Sequence, residues 1–201
     1  YLASLLQETF SNLIMQVHSK WIISNRMKIC FITHDMHLQT GVGTFSRNLI
    51  ERVASRNPDW KIAVITAESS GHALEIATMR MDKRSLFKTA THLRALLKEY
   101  DIIHALDGFP YGLLVVLSTF GLHKKIFITA IGSGSTYMLS KKSLRWLLRF
   151  CYKRADTFFA ISNYTAQKVK NRVSGLEIIP INLGINCEEF KPRASDPALE
   201  K

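Results

Sequence analysis

The 201-residue chain has room for one sizeable domain and its core, which argues against two full domains. Its share of hydrophobic residues, 47%, with 21% charged, excludes a disordered or low-complexity chain. Lys and Arg number 27 against 16 acidic residues, a net charge of +11, which implies an anionic partner: nucleic acid, acidic lipid or a phosphorylated small molecule.

Taken from the start, Leu2, Leu6, Phe10, Leu13 and Val17 recur at helical spacing, so residues 1–26 are expected to form a helical extension of unassigned role before the first clear strand, which Met27 opens. From there β-branched and aromatic runs alternate with longer segments of helical period. Strands are expected at Lys28–Thr33, Lys61–Thr66, Asp101–Ala105, Ile126–Ala130, Thr157–Ile161 and Glu177–Ile181. Helices fit between them at Gly43–Ser55, Arg84–Glu99, Tyr111–Phe120, Lys141–Arg154 and Tyr164–Arg172. The fold class that follows is α/β, a Rossmann-like doubly wound and mostly parallel sheet over residues 27–192, with 193–201 expected as a truncated polar linker. The apolar run Leu113–Leu117 is far shorter than the ~20 residues a membrane-crossing helix needs. Cys30, Cys151 and Cys187 lie far apart without a CxxC spacing, which disfavours a zinc knuckle or a disulfide framework and fits a reducing cytoplasm.

In such sheets ligands bind beyond the carboxyl ends of the strands, which directs attention to the loops after Thr33, Ala105, Ala130 and Ile161. The first loop ends in Gly41-Val42-Gly43-Thr44 at a helix start, where backbone N–H groups can meet a phosphate. A dinucleotide motif would need a glycine where Ser46 stands and would begin directly after the strand, so the dehydrogenase reading weakens. His34, Asp35 and His37 in that loop make a poor metal site and are read as solvated or acceptor-facing. His104 ends a strand and Asp107 follows it; a core role and a cleft role for the histidine are equally open. Ser162 and Asn163 either face the cleft or cap the next helix, and capping is the favoured reading.

Met27-Lys-Ile-Cys-Phe-Ile-Thr, its long loop, the Gly-x-Gly and Phe45-Ser-Arg-Asn-Leu-Ile-Glu-Arg-Val together resemble the opening of family 4 GT-B glycosyltransferases. Tyr100-Asp-Ile-Ile-His-Ala-Leu-Asp, Ala155-Asp156 through Ala160-Ile-Ser162, and Ile179-Pro-Ile-Asn-Leu-Gly-Ile-Asn with Phe190-Lys-Pro192 are similar to three further motifs of that family, in its order. The resemblance implies the N-terminal, acceptor-side half of an enzyme that moves a sugar from a nucleoside-diphosphate sugar with retention. It implies Gly41, Val42, Gly43 and Thr44 at the donor diphosphate, and a sugar cleft of His104, Asp107, Gly132, Ser133, Ser135, Ser162 and Asn163. The catalytic residues stay unassigned, because where the family usually places a histidine this sequence has Ile131, which can neither donate a hydrogen bond nor carry a proton. Ser133 or Ser135 is expected to substitute in part, or the activity to have declined.

No DxD triplet occurs, so neither a metal nor a cofactor is expected; the implied partners are a nucleotide sugar, a sugar or lipid-linked acceptor, and a C-terminal donor domain in cis or in trans. Without that half the chain is expected to be inactive. A basic stripe of Lys141, Arg145, Arg149 and Lys153 beside an apolar face of Leu144, Leu147, Leu148 and Cys151 is read either as a contact with an anionic membrane, which would make a cytoplasmic protein peripheral at the inner membrane face, or as a solvated stripe on a helix whose apolar face packs on the sheet, and the two can hold together. The alternative is a non-catalytic membrane- or partner-docking module. Nucleic acid is disfavoured, since no helix-turn-helix, RNP or zinc pattern accompanies the charge.

Overall fold

The structure, a computed structural model, describes residues 27–79 and 86–183. Among these, seven strands form one parallel sheet: β1 (Lys28–Thr33), β2 (Lys61–Thr66), β3 (Glu75–Thr78), β4 (Ile102–Leu106), β5 (Lys125–Ala130), β6 (Thr157–Ala160) and β7 (Ile179–Pro180). Six helices connect them: α1 (Gly41–Arg56), α2 (Leu86–Leu97), α3 (Leu113–Thr119), α4 (Ser133–Thr136), α5 (Lys142–Arg154) and α6 (Asn163–Lys170). The strand order β3-β2-β1-β4-β5-β6-β7 is doubly wound, with the winding direction reversing between β1 and β4.

Both faces of such a sheet are covered, so its strands read as continuous apolar runs that divide by alternation. Cys30, Ile32, Ile65, Ile103, Ile128 and Phe158 face one side and meet Leu93 and Leu97 of α2, Leu114 and Val115 of α3, Leu148 and Tyr152 of α5 and Val169 of α6. Ile29, Phe31, Val64, Phe127 and Phe159 face the other, where Ile50 and Val53 of α1 pack. Each large side chain so buried contributes about 1.5–3 kcal/mol before entropy is counted.

The aspartates of two family-like motifs act at the opposite, amino end of the sheet. Asp101 Oδ2 accepts the Lys28 amide at 3.0 Å, and Asp156 accepts the Ile126 amide at 2.9 Å and the Lys125 ammonium at 2.8 Å, each pinning the start of the adjacent strand. Those motif residues hold register at the amino end of the sheet.

Some expectations shift: the last strand, expected over Glu177–Ile181, is Ile179–Pro180, and the first helix begins at Gly41 rather than Gly43. The edge strand β3 is missing from the sequence reading, because four residues with alternating half-exposed and exposed side chains carry little hydrophobic signal. The helix expected from Tyr111 begins at Leu113, since the chain first makes a wide turn over Gly108–Gly112 with extended backbone at Phe109. The first two residues of the helix expected over Arg84–Glu99 lie outside the described residues, and from Leu86 the helix runs to Leu97. Residues 1–26, the segment 193–201 and Cys187 lie outside the described residues.

Candidate functional site

The loops after β1 and β4 part where the winding reverses, and the crevice between them is the ligand position of this architecture. On the β1 side the chain folds back on itself before α1. Asp35, 1% exposed, accepts the His37 amide and the Thr40 hydroxyl, both at 2.8 Å. Thr40 then caps α1 by accepting the Gly43 amide at 2.9 Å. A side chain at position 43 would collide with Asp35 Oδ1 and the His37 carbonyl, so the glycine answers a close approach of the loop. Of the four residues expected at a diphosphate, Gly43 therefore has its N–H engaged internally and Thr44 donates its amide to the Thr40 carbonyl at 2.9 Å. Gly41 and Val42 keep first-turn amides that donate to no group of the described chain, at the positive end of a 16-residue helix.

On the β4 side Asp107 holds a backbone conformation that side chains avoid, φ 130° and ψ 154°. Its carboxylate compensates by gathering donors: the Gly108 amide at 2.8 Å, the Ser135 hydroxyl, and the amides of Gly132 and Ser135. Burial nevertheless pushes its pKa up against those bonds. Ser135, fully buried, also accepts the Gly108 amide at 2.7 Å, and Tyr152 of α5 donates its hydroxyl to the Ser135 carbonyl at 3.0 Å. Asp107 and Ser135 thus fasten the β4 and β5 loops together.

The remaining expected residues divide clearly. His104 is 1% exposed, ringed by Phe31, Phe127 and Phe159 with centroids 5.3, 5.8 and 5.9 Å away, and its Nε2 lies 2.7 Å from Thr129 Oγ1. Burial lowers its pKa to about 3, so it is a neutral core residue that does not reach the cleft. Ser162 caps α6 by accepting the Thr165 amide at 3.1 Å, with Asn163 exposed in the first turn. Ser133 is exposed and Gly132 half-buried in the β5 loop, while Ile131 packs against the apolar cluster of Phe127 and Phe159. The thiols of Cys30 and Cys151, buried and pushed up to about 12, are no nucleophiles. The described residues contain no group of three or more metal-ligating side chains.

One constellation went unread in the sequence. His34 Nδ1 meets the Tyr111 hydroxyl at 2.8 Å, and His34 Nε2 stands 3.6 Å from Glu68 Oε1. Three loops, after β1, β2 and β4, supply these side chains, which no sequence spacing connects.

A parallel doubly wound sheet with this strand order, whose α1 presents its N-terminus at the reversal point, is the Rossmann-like architecture that N-terminal GT-B-type domains share. The profile of Glycosyltransferase Family 4 matches residues 39–189, and the chain belongs to that family. No curated protein matches it. Among solved structures, one assigned as a UDP-N-acetylglucosamine 2-epimerase from Listeria monocytogenes is 14% identical with a TM-score of 0.50, over 73% of this chain and 41% of that one. A second crystal structure of a UDP-N-acetylglucosamine 2-epimerase is also 14% identical, with a TM-score of 0.54 over 87% and 54%. The chain spans about half the length of these structures, and at such identity the likeness is one of fold.

Proposed function

We propose that the chain is the acceptor-side half of a transferase that takes a sugar from a nucleoside-diphosphate sugar with retention of configuration. Membership of Glycosyltransferase Family 4 carries this reading. The physical support is the open first turn of α1, whose Gly41 and Val42 amides suit a departing diphosphate. An acceptor held on the β4 side of the same crevice would present its hydroxyl to the face the diphosphate leaves. A diphosphate departing from one wall of a cleft needs charge from the other wall too, which a C-terminal donor half in cis or in trans would supply. The 201 residues alone are therefore expected to transfer nothing.

The test incubates the purified chain with UDP-glucose, UDP-N-acetylglucosamine or GDP-mannose and a set of sugar and lipid-linked acceptors, with and without a separately produced donor-side half of a family member. Transfer by the chain alone would refute its dependence on a second half. Failure of every mixture would refute the transferase reading.

A second reading has its own observation. Trp146 and Phe150 on α5 are 69% and 45% exposed, four residues apart, and Lys142, Arg149, Lys153 and Arg154 are exposed around them. The apolar face of the helix packs inward, with Leu148 and Cys151 buried and Leu144 and Leu147 packed on the core. The exposed aromatics give the helix a separate outer face suited to an anionic membrane at the inner side of the cell. No helix among the described residues is long and apolar enough to cross a membrane.

A further inference from the structure

We propose that His34 and Glu68, braced by Tyr111, form the seat for one hydroxyl of a neutral, polyhydroxylated acceptor. The proposal rests on the transferase reading above and names the residues that would hold the acceptor.

The seat lies at the reversal point of the sheet. His34 follows β1, Glu68 follows β2 and Tyr111 sits in the turn after β4. The backbone fixes the first two together, because the His34 carbonyl accepts the amides of Ala67 and Glu68, both at 2.8 Å. Tyr111 is 6% exposed, and its hydroxyl meets His34 Nδ1. Burial, and then the carboxylates of Asp107, Asp35 and Glu68, keep the phenol protonated. Of the two ways this pair can bond, the seat requires the one in which the phenol donates to Nδ1, which leaves the imidazole proton on Nε2.

That Nε2–H and the Glu68 carboxylate then stand side by side at 3.6 Å, beyond a hydrogen bond, with side chains 45% and 67% exposed. A donor and an acceptor poised next to each other without bonding suit a group that accepts and donates at once. A hydroxyl does both: its oxygen takes the Nε2 proton and its own proton goes to the carboxylate. An anionic ligand meets repulsion from Glu68, with the carboxylates of Asp35 and Asp107 acting on the adjoining Tyr111, and an ammonium group turns a cation toward the Nε2–H. The pair therefore selects against both kinds of charge. Gly41 and Val42, at the start of α1, leave the anion a different place in the same crevice.

The experiment uses the whole chain with 15N-labelled histidine. Long-range 1H–15N spectra read the His34 tautomer, and methyl α-glucopyranoside serves as the neutral probe with inorganic phosphate as the anionic one. Expected are a proton on Nε2 in the free chain and a saturable shift of the His34 ring with the glycoside that phosphate does not reproduce. Glu68→Gln should weaken the glycoside at least about tenfold, the effect of one hydrogen bond to a charged group. Tyr111→Phe should release Nδ1 and mix the tautomers. A proton on Nδ1, no saturable shift, or unchanged glycoside affinity in Glu68→Gln overturns the seat; because Glu68 is exposed, that variant keeps its fold even if a His34 variant does not. Glycoside binding at His34 without sugar transfer in the two-half assay would refute the transferase reading and leave the seat. Transfer undiminished in Glu68→Gln would refute the seat and leave the reading.

Discussion

His104 carries an acid sensitivity that its burial dictates. Its pKa falls from 6.5 to about 3 in the folded chain, so between those values the unfolded chain binds a proton that the folded one refuses. Stability from this group is complete above pH 6.5 and is lost as pH falls toward 3, at up to about 1.4 kcal/mol per pH unit. Urea unfolding at a series of pH values should show that slope. It should flatten in the double variant His104→Leu with Thr129→Val, which removes both partners of the hydrogen bond together. Glycine is required just as locally at positions 43 and 134. A methyl group at 134 would strike the Phe109 carbonyl and Asp107 Oδ2, and one at 43 would strike Asp35 and the His37 carbonyl. Each Ala variant should lose about 3 kcal/mol, near the upper end of overpacking costs, which a thermal melt reads as a Tm lower by roughly 6–12 °C.

At the scale of the element, α5 uses one side for folding and leaves another free. Two of the four cations expected to touch lipid are already occupied by backbone. Arg145 donates to the carbonyls of Leu139 at 3.0 Å and Ser140 at 3.1 Å, and Arg149 donates to the Arg172 carbonyl at 2.6 Å. Reversing their charge would disturb those loops as well as any membrane contact, so the informative changes lie elsewhere. If the outer face meets lipid, Trp146→Ser with Phe150→Ser should reduce co-sedimentation with vesicles of phosphatidylglycerol, and Lys142→Glu with Lys153→Glu should reduce it further. Binding should also fall with rising salt, since each cation near the surface is worth about 1 kcal/mol. Equal binding to phosphatidylcholine vesicles, or no change in either variant, would remove the lipid contact.

At the scale of the whole molecule the sheet order decides where chemistry can occur. Because winding reverses between β1 and β4, the amides of Gly41 and Val42 and the His34–Tyr111–Glu68 group stand beyond the same carboxyl end of the sheet although they come from three separate loops. The Asp107–Ser135 bonds hold the neighbouring wall. Under the proposed function the amides would take an anion and the imidazole–carboxylate pair a hydroxyl of the acceptor. Removing Asp107 should loosen that wall, so Asp107→Ala is expected to diminish the protection of the Gly108 and Ser135 amides in hydrogen exchange while those of β1 and β2 stay slow.

The sequence by itself determined the parallel α/β class, six of the seven strands placed within about two residues, and the family, because unbroken apolar runs flanked by polar turns are local signals. It also read Ser162 as a cap, for capping needs only the residues beside it. Tertiary structure decided the rest. Whether His104 lies in the core or the cleft depends on the aromatic neighbours that β1, β5 and β6 bring to it. Whether Gly43 offers its amide to a ligand depends on Thr40 and on a loop folded back by Asp35. The meeting of His34, Glu68 and Tyr111 is invisible along the chain, since the order in which parallel strands assemble, set by long-range packing, is what brings their loops together.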